Sequence, residues 1–313
     1  MEILREMPRT SGAGAPAPSA PRVAVVAGLG SGIGFAAAAA LARQGYALIG
    51  VARTESRAAG IRAALEAAVP GLAADPSRLA FAVGDLGRQR DAARIAEEAA
   101  ALADARFGGR IDRLVYTAGQ VTSWYVATED GYETQFAVNH LACFRLALAL
   151  RGRLEASGDG RVVVVSSGSH RGARIRWSDP MLRRLYNPLT AYKQSKLANV
   201  LFVHAFNARC ASERLRAYAV DPGLVDTDIG SKATGVVAWV WRLRRRGGVA
   251  PEVGAATVVA LASEPAQPRG AFDYWKDGKP ERPSAASLRR EDTDRLWAAS
   301  LRLCGMEENA WNR

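Results

Sequence analysis

Tyr192 and Lys196 stand four residues apart in "TAYKQSKLANVLF", which begins at Thr190. On a helix this spacing sets both side chains on one face, a turn apart. A phenol titrates at about 10 in water and is a poor proton donor or acceptor at neutral pH. A cation one turn away stabilises its phenolate and brings it into range. Upstream, "VVVVSSGS" places Ser166 and Ser167 at the end of an apolar run, and open α/β sheets bind ligands at such strand ends. A phenol so tuned can give or take a proton at neutral pH. The alternative for Tyr192 and Lys196 is an ordinary surface pair on a helix.

A second constellation concerns binding. "AGLGSGIG" carries Gly28, Gly30, Gly32 and Gly34, with Ser31 and Ile33 between the last three. Glycine admits positive φ and close approach of backbone to a ligand. A helix beginning at such a loop points its unpaired N–H groups and positive dipole end at that ligand, and a pyrophosphate fits both features. The alternative is a tight strand-to-helix turn without ligand. At the end of the next apolar run, "GVARTESR" presents Arg53 and no acid at the strand end. An acid there bonds the ribose 2′-OH of NAD, whereas an arginine accommodates the 2′-phosphate of NADP. The expected cofactor is therefore NADPH (NADP+), with NADH disfavoured, unless Arg53 is merely a solvated residue after a strand.

These residues need a scaffold that brings strand ends together. Short apolar runs begin near Arg22, Tyr46, Arg78, Ile111, Arg161 and Leu215. Their continuity predicts strands buried on both faces. Longer alanine-rich stretches over 34–43, 57–69, 88–105, 133–153 and 191–210 predict helices between them. Repeated strand–helix–strand units give right-handed crossovers and a parallel sheet. The expected architecture is α/β, a Rossmann-type doubly wound parallel sheet in a single domain over residues 22–313. Residues 1–21, rich in Ala, Gly, Pro and Ser, read as a disordered N-terminal tail.

Composition narrows the function. Nearly half the residues are apolar, and no run is long enough to span a bilayer. With no signal-peptide pattern at the N-terminus, a cytoplasmic location is expected. The three cysteines and three histidines lack metal-ligand spacing, so no metal is expected. The net charge of +11 comes from dispersed arginines. Without a recognisable nucleic-acid module it predicts no nucleic-acid partner. The exception to dispersion is the stretch after "DPGLVDTDI", where Val236, Val237, Trp239, Val240 and Trp241 precede Arg242, Arg244, Arg245 and Arg246. Tryptophan beside arginine suits a lid over an apolar substrate that rests on an anionic membrane, with peripheral contact from Trp239 to Arg246. A buried helix with a solvated basic end is the alternative. His170 reads as a solvated loop residue or a substrate contact, and Trp124 and Tyr125 as pocket lining or ordinary packing.

Taken together, the motifs resemble the short-chain dehydrogenase/reductase family over nearly all of the chain after the tail. "AGLGSGIG" resembles its TGxxxGIG loop. "GDL" matches its adenine-contact position and brings in Asp85 and Leu86, while "YTAG" resembles NNAG and brings in Ala118 and Gly119. The resemblance assigns catalytic roles to Asn139, Ser167, Tyr192 and Lys196. It assigns "DPGLVDTDI" to the nicotinamide side, with Pro222, Gly223, Val225 and Thr227 as cofactor contacts. Lys196 would also bind the nicotinamide ribose, and Asn139 would hold a relay water. "VNHLACF", "YKQSKLANVLF", "LWAASLRLCG" and the insert "HRGARIRWSD" resemble the retinol-dehydrogenase-like branch. The implied activity is NADPH-dependent interconversion of a carbonyl and an alcohol, on an apolar small molecule. A non-catalytic NADP(H)-binding regulatory or scaffold protein is the alternative. Two departures stand out. Ala27 replaces the family's threonine and Tyr116-Thr117 its paired asparagines, so the hydroxyl tie between glycine loop and central strand must be lost or rebuilt.

Overall fold

A computed structural model describes residues 21–210, 212–226, 247–265 and 272–307. The expected tail, but for its last residue, lies outside the described residues, as do Thr227 and the stretch from Trp239 to Arg246. The strands are β1 (Val23–Ala27), β2 (Ala47–Ala52), β3 (Leu79–Val83), β4 (Arg113–Tyr116), β5 (Gly160–Val165), β6 (Leu215–Asp221), β7 (Tyr274–Lys276) and β8 (Lys279–Pro280). They form a single sheet in the order β3-β2-β1-β4-β5-β6-β7-β8. It is parallel through β7, with β8 returning antiparallel. The strand order reverses direction between β1 and β4, and there the carboxyl ends open a crevice. This is the expected doubly wound α/β sheet.

The main helices are α1 (Gly32–Arg43), α2 (Glu55–Ala68), α3 (Gln89–Phe107), α4 (Ala142–Ala156), α5 (Pro188–Arg209), α6 (Pro251–Ser263) and α7 (Arg290–Leu303). Alternation along β1 explains the unbroken apolar runs. Val23, Val25 and Ala27 join a core with α3, α4, α5 and α7, while Ala24 and Val26 join a second core with α1, α2 and α6. Each strand residue therefore needs an apolar side chain whichever way it points.

Three boundaries differ from the sequence expectation for physical reasons. α5 starts at Pro188 rather than 191, because Asn187 Oδ1 accepts from the Thr190 N–H at 2.9 Å and proline suits the first turn. The helix expected over 133–153 is broken. A short turn, Thr134–Phe136, leads into a π-helical turn, Ala137–Leu141, before α4. The segment leaving β4 pulls on this turn: the Tyr116 hydroxyl donates to the Val138 carbonyl, and Asn139 bonds Gln120. Finally, β7 and β8 are too short to show a period, and both escaped the sequence reading.

Candidate active site

The crevice holds a cavity of about 790 Å³ that runs from the glycine loop to Tyr192. Gly28 has φ +93°, and a Cβ there would fall 2.4 Å from the Ala118 N. At Gly34 a Cβ would lie 2.1 Å from the Gly28 carbonyl oxygen. Only glycine lets this loop fold onto the end of β4. The expected tie is present but reversed. Thr117 Oγ1 donates to the Ala27 carbonyl at 2.8 Å, alongside its own backbone N–H at 2.9 Å. The threonine lost at position 27 is replaced by one across the strand pair. Ser31 precedes α1 without a side-chain cap bond. The first turn of α1 thus lines the cavity at Gly32 and Ile33 with no capping side chain on its N–H groups, and a pyrophosphate fits this cradle.

At the outer end, Arg53 follows β2 with its side chain half exposed, and its Nε lies 3.9 Å from Asp85 Oδ2. So long an ion pair leaves the guanidinium able to take a second anion. Arg57 lines the same cavity, with Nη2 3.4 Å from where a Gly30 Cβ would stand. The Thr54 hydroxyl accepts from the Arg57 N–H and caps α2. Sequence reasoning missed Arg57; the i, i+4 interval from Arg53 across a helix start was the available signal. Asp85 Oδ1 accepts from the Gly87 N–H at 2.9 Å, which fixes the turn that presents Leu86.

At the inner end the catalytic candidates converge. Ser167, Tyr192 and Lys196 line the cavity together. Lys196 is buried; its Nζ donates to the Val165 carbonyl at 3.0 Å and sits 5.7 Å from the centre of the Tyr192 ring. Burial pulls the ammonium down from 10.5 to about 8. The Ser166 hydroxyl donates to the Lys196 carbonyl, which locks the end of β5 to α5. Ser167 Oγ accepts from both the N–H and the hydroxyl of Ser169, at 3.2 and 2.9 Å, so its own proton is left to donate.

Asn139 lies beneath the cavity rather than in its wall, fully buried. Its Oδ1 accepts from the Gln120 N–H at 2.8 Å, and its Nδ2 donates to the Gln120 carbonyl and to Ser195 Oγ, at 3.2 and 2.9 Å. Ser195 Oγ in turn donates to the Tyr192 carbonyl. With its amide protons spent on protein, Asn139 ties the exit of β4 to the helix that carries Tyr192. Every cofactor candidate among the described residues lines the cavity, namely Gly28, Gly30, Ser31, Gly32, Ile33, Gly34, Arg53, Asp85, Leu86, Ala118, Gly119, Pro222, Gly223 and Val225. The reading of His170 is corrected, and of the two alternatives for Trp124 and Tyr125 pocket lining drops out, Tyr125 taking the packing role. His170 is fully buried and is neither a solvated nor a cavity-lining residue. Trp124 is 59% exposed outside the cavity wall, and Tyr125 packs edge-on against Tyr186 with ring centres 5.6 Å apart. Among the described residues no cluster of His, Cys, Asp or Glu could hold a metal ion.

Comparison with known proteins follows the same lines. The family model described as short chain dehydrogenase matches residues 22–235. Retinol dehydrogenase 13 of Homo sapiens is 35% identical over 207 residues, covering 63% of this chain and 62% of that protein. Polyprenol dehydrogenase of Mus musculus is 36% identical over 205 residues, covering 61% of this chain and 59% of that protein. The chain thus spans about three-fifths of the length of these relatives. The crystal structure of an uncharacterized protein from Mycobacterium Paratuberculosis superposes with a TM-score of 0.71 at 28% identity, covering 92% of this chain and 97% of that one. With its sheet order, glycine loop and Ser–Tyr–Lys cluster on one crevice, the chain belongs to the short-chain dehydrogenase family and resembles its retinol-dehydrogenase-like branch.

Proposed function

We propose that the protein is an NADPH-dependent oxidoreductase interconverting a carbonyl and an alcohol on an apolar small molecule. One observation carries the reading: a buried ammonium, a phenol and a serine hydroxyl with a proton to give share the inner end of a cavity whose outer end is a glycine cradle. A nicotinamide cofactor held there supplies or accepts the hydride. Tyr192 gives its proton to the carbonyl oxygen during reduction, and takes it back during oxidation. Ser167 donates a hydrogen bond to the same oxygen and orients it. Lys196 stabilises the Tyr192 phenolate by its charge. Asn139 positions Tyr192 through Ser195. Arg53 and Arg57 bind the 2′-phosphate, with Pro222, Gly223 and Val225 against the nicotinamide.

The apolar preference is supported by the rim. Leu224 lines the cavity while 42% exposed, and Val249 pairs with Leu224 and Val225 beside it. Asp226 bonds Val249 through its N–H, and Gly247 lies against Leu224, so both sit beside this rim. The names of the two relatives quoted, which refer to long apolar alcohols, support the same preference. Among the described residues no helix is long and apolar enough to cross a membrane. Peripheral contact through Trp239 to Arg246 is part of the proposal. Flotation with anionic vesicles at low salt tests it, and absence of binding removes it.

The deciding experiment follows NADPH absorbance with an aldehyde and ketone series of rising chain length. Turnover that improves with chain length and prefers NADPH to NADH is expected. Tight NADPH binding without turnover of any carbonyl, or of any alcohol with NADP+, would instead favour the regulatory alternative.

A further inference from the structure

We infer that His170 is a positioning residue for Ser167, acting through one fixed neutral tautomer; this rests on the reading of Ser167 as the group that orients the substrate oxygen. His170 ends the short helical turn Gly168–His170, which Ser167 caps. Its Nδ1 lies 2.8 Å from the Ser167 carbonyl oxygen, an atom that only accepts, so Nδ1 carries the proton. Its Nε2 lies 3.1 Å from the Ser284 N–H, which only donates, so Nε2 carries none. Two backbone groups thus admit a single tautomer and exclude the imidazolium, whose second proton would collide with the Ser284 N–H. The His170 backbone N–H also donates to the Ser167 carbonyl, at 3.1 Å. Ser167 is therefore gripped at its carbonyl by His170 and at its hydroxyl by Ser169.

The grip has a floor. The Tyr274 ring packs against His170 with centres 4.8 Å apart, and its hydroxyl donates to Asp221 Oδ2 at 3.0 Å. Asp221 Oδ1 accepts from the Gly223 N–H at 3.1 Å. Gly168 is pressed against this carboxylate, since a Cβ there would fall 2.8 Å from Oδ2. The loops that carry Ser167 and Gly223 therefore rest on one buried cluster. The charged groups facing His170 are Arg171, Asp221 and Glu281. Ser284 and Tyr274 lie beyond the residues matched by the family model, so a later segment of the chain reaches back to set the catalytic serine.

Two variants separate positioning from packing. In His170→Asn the amide nitrogen falls where Nδ1 was, keeping the donor to Ser167 and losing the Ser284 contact. In His170→Gln the amide oxygen falls where Nε2 was, keeping Ser284 and losing the donor to Ser167. His170→Gln should lower kcat about tenfold or more with cofactor KM within about twofold, while His170→Asn holds kcat within about threefold, because small misplacements of a reacting group are costly. Equal kcat in both variants, or equal losses that follow Tm, would overturn the inference. A ¹⁵N-resolved imidazole spectrum of the wild-type protein at neutral pH, assigned by the signal lost in His170→Gln, gives an arm independent of turnover. A proton on Nδ1 is expected, and a proton on Nε2 or on both nitrogens overturns the inference. If that proton sits on Nδ1 but the wild-type protein reduces no carbonyl, the hold on Ser167 stands and the functional reading falls.

Discussion

At the scale of single residues, charge placement makes the firmest claims. Tyr192→Phe keeps the ring and removes the proposed proton donor, so turnover should fall below about a tenth of wild type, given the roughly 10²–10⁴-fold worth of positioned acid catalysis. Cofactor affinity should be nearly unchanged by fluorescence titration. Lys196 makes a claim with a sign. Its ammonium is complete below about pH 8 and lost above it, so kcat/KM for carbonyl reduction should decline as pH rises through about 8. Stability moves the other way. Because the folded pKa lies below the ordinary 10.5, the unfolded chain binds more protons between those values, and this group's burden on folding is relieved as pH climbs. Lys196→Met should therefore be more stable than wild type at neutral pH, with the gap closing toward pH 10.5, read by urea midpoints. Arg53→Ala should weaken NADPH about 10- to 100-fold, the worth of a charge-assisted contact, and leave NADH almost unchanged. Tyr192, Lys196, Ser167 and Arg53 were legible because a four-residue interval or a strand end places them without any tertiary knowledge. Arg57 carried the same four-residue signal, from Arg53, and was missed, whereas His170 was not legible, since its role depends on how the loop after Ser167 turns.

The elements show how departures from a family pattern are absorbed. Ala27 and Thr117 exchange the hydroxyl between two paired strands, and the tie survives because Ala27 pairs with Tyr116 in register. Thr117→Val keeps the shape and removes that bond, so NADPH affinity should fall by about the 0.5–1.5 kcal/mol of one neutral hydrogen bond. Unchanged affinity would show that the glycines alone hold the loop. At the opposite strand ends, Arg113 and Arg161 lie buried beneath the C-terminus of α6. Arg113 donates to the carbonyls of Asp112, Asp159 and Ala262, and Arg161 to those of Leu261 and Glu264. Cations there complement the helix dipole, and both arginines bond the Asp159 carboxylate. Arg113→Met leaves carbonyls without donors and should cost roughly 1–3 kcal/mol in urea unfolding. The strands themselves were readable because burial on both faces writes continuous apolar runs. The π turn at Asn139 was not, because it is imposed by Tyr116 and Gln120 from another element, and nothing in the local helical period announces it.

At the scale of the molecule, the proposed cofactor cradle and the proposed chemistry belong to opposite halves of the sheet. The glycine loop and Arg53 ride on β1 and β2, whereas Ser167, Tyr192 and Lys196 ride on β5 and α5. Helix α7 packs its aromatic face on the second half, through α4 and α5, while sharing the core that Val23, Val25 and Ala27 of β1 also enter. Its Trp297 is buried with its ring centre 5.0 Å from that of Phe144, stacks over Phe202, and lies under the Arg209 guanidinium. One turn on, Ser300 Oγ lies 2.8 Å from Nε2 of the fully buried His140, the residue after Asn139. Burial pulls the His140 imidazole down to about 3, so it stays neutral and the contact survives across the physiological range. Removing Trp297 leaves a large void, and Trp297→Ala should cost about 3–5 kcal/mol. That is a large share of the roughly 5–15 kcal/mol that holds a domain together. The loss should not be felt evenly. Well below the unfolding transition, the surviving folded protein should bind NADPH with near wild-type affinity, because no residue of α7 lines the cavity. Its kcat should fall, because α7 supports the turn that carries Asn139 and, through Ser195, the backbone of Tyr192. Urea unfolding, NADPH fluorescence titration and kcat measured on one preparation decide the matter, and NADPH affinity lost in step with kcat would show the two halves to be a single mechanical unit.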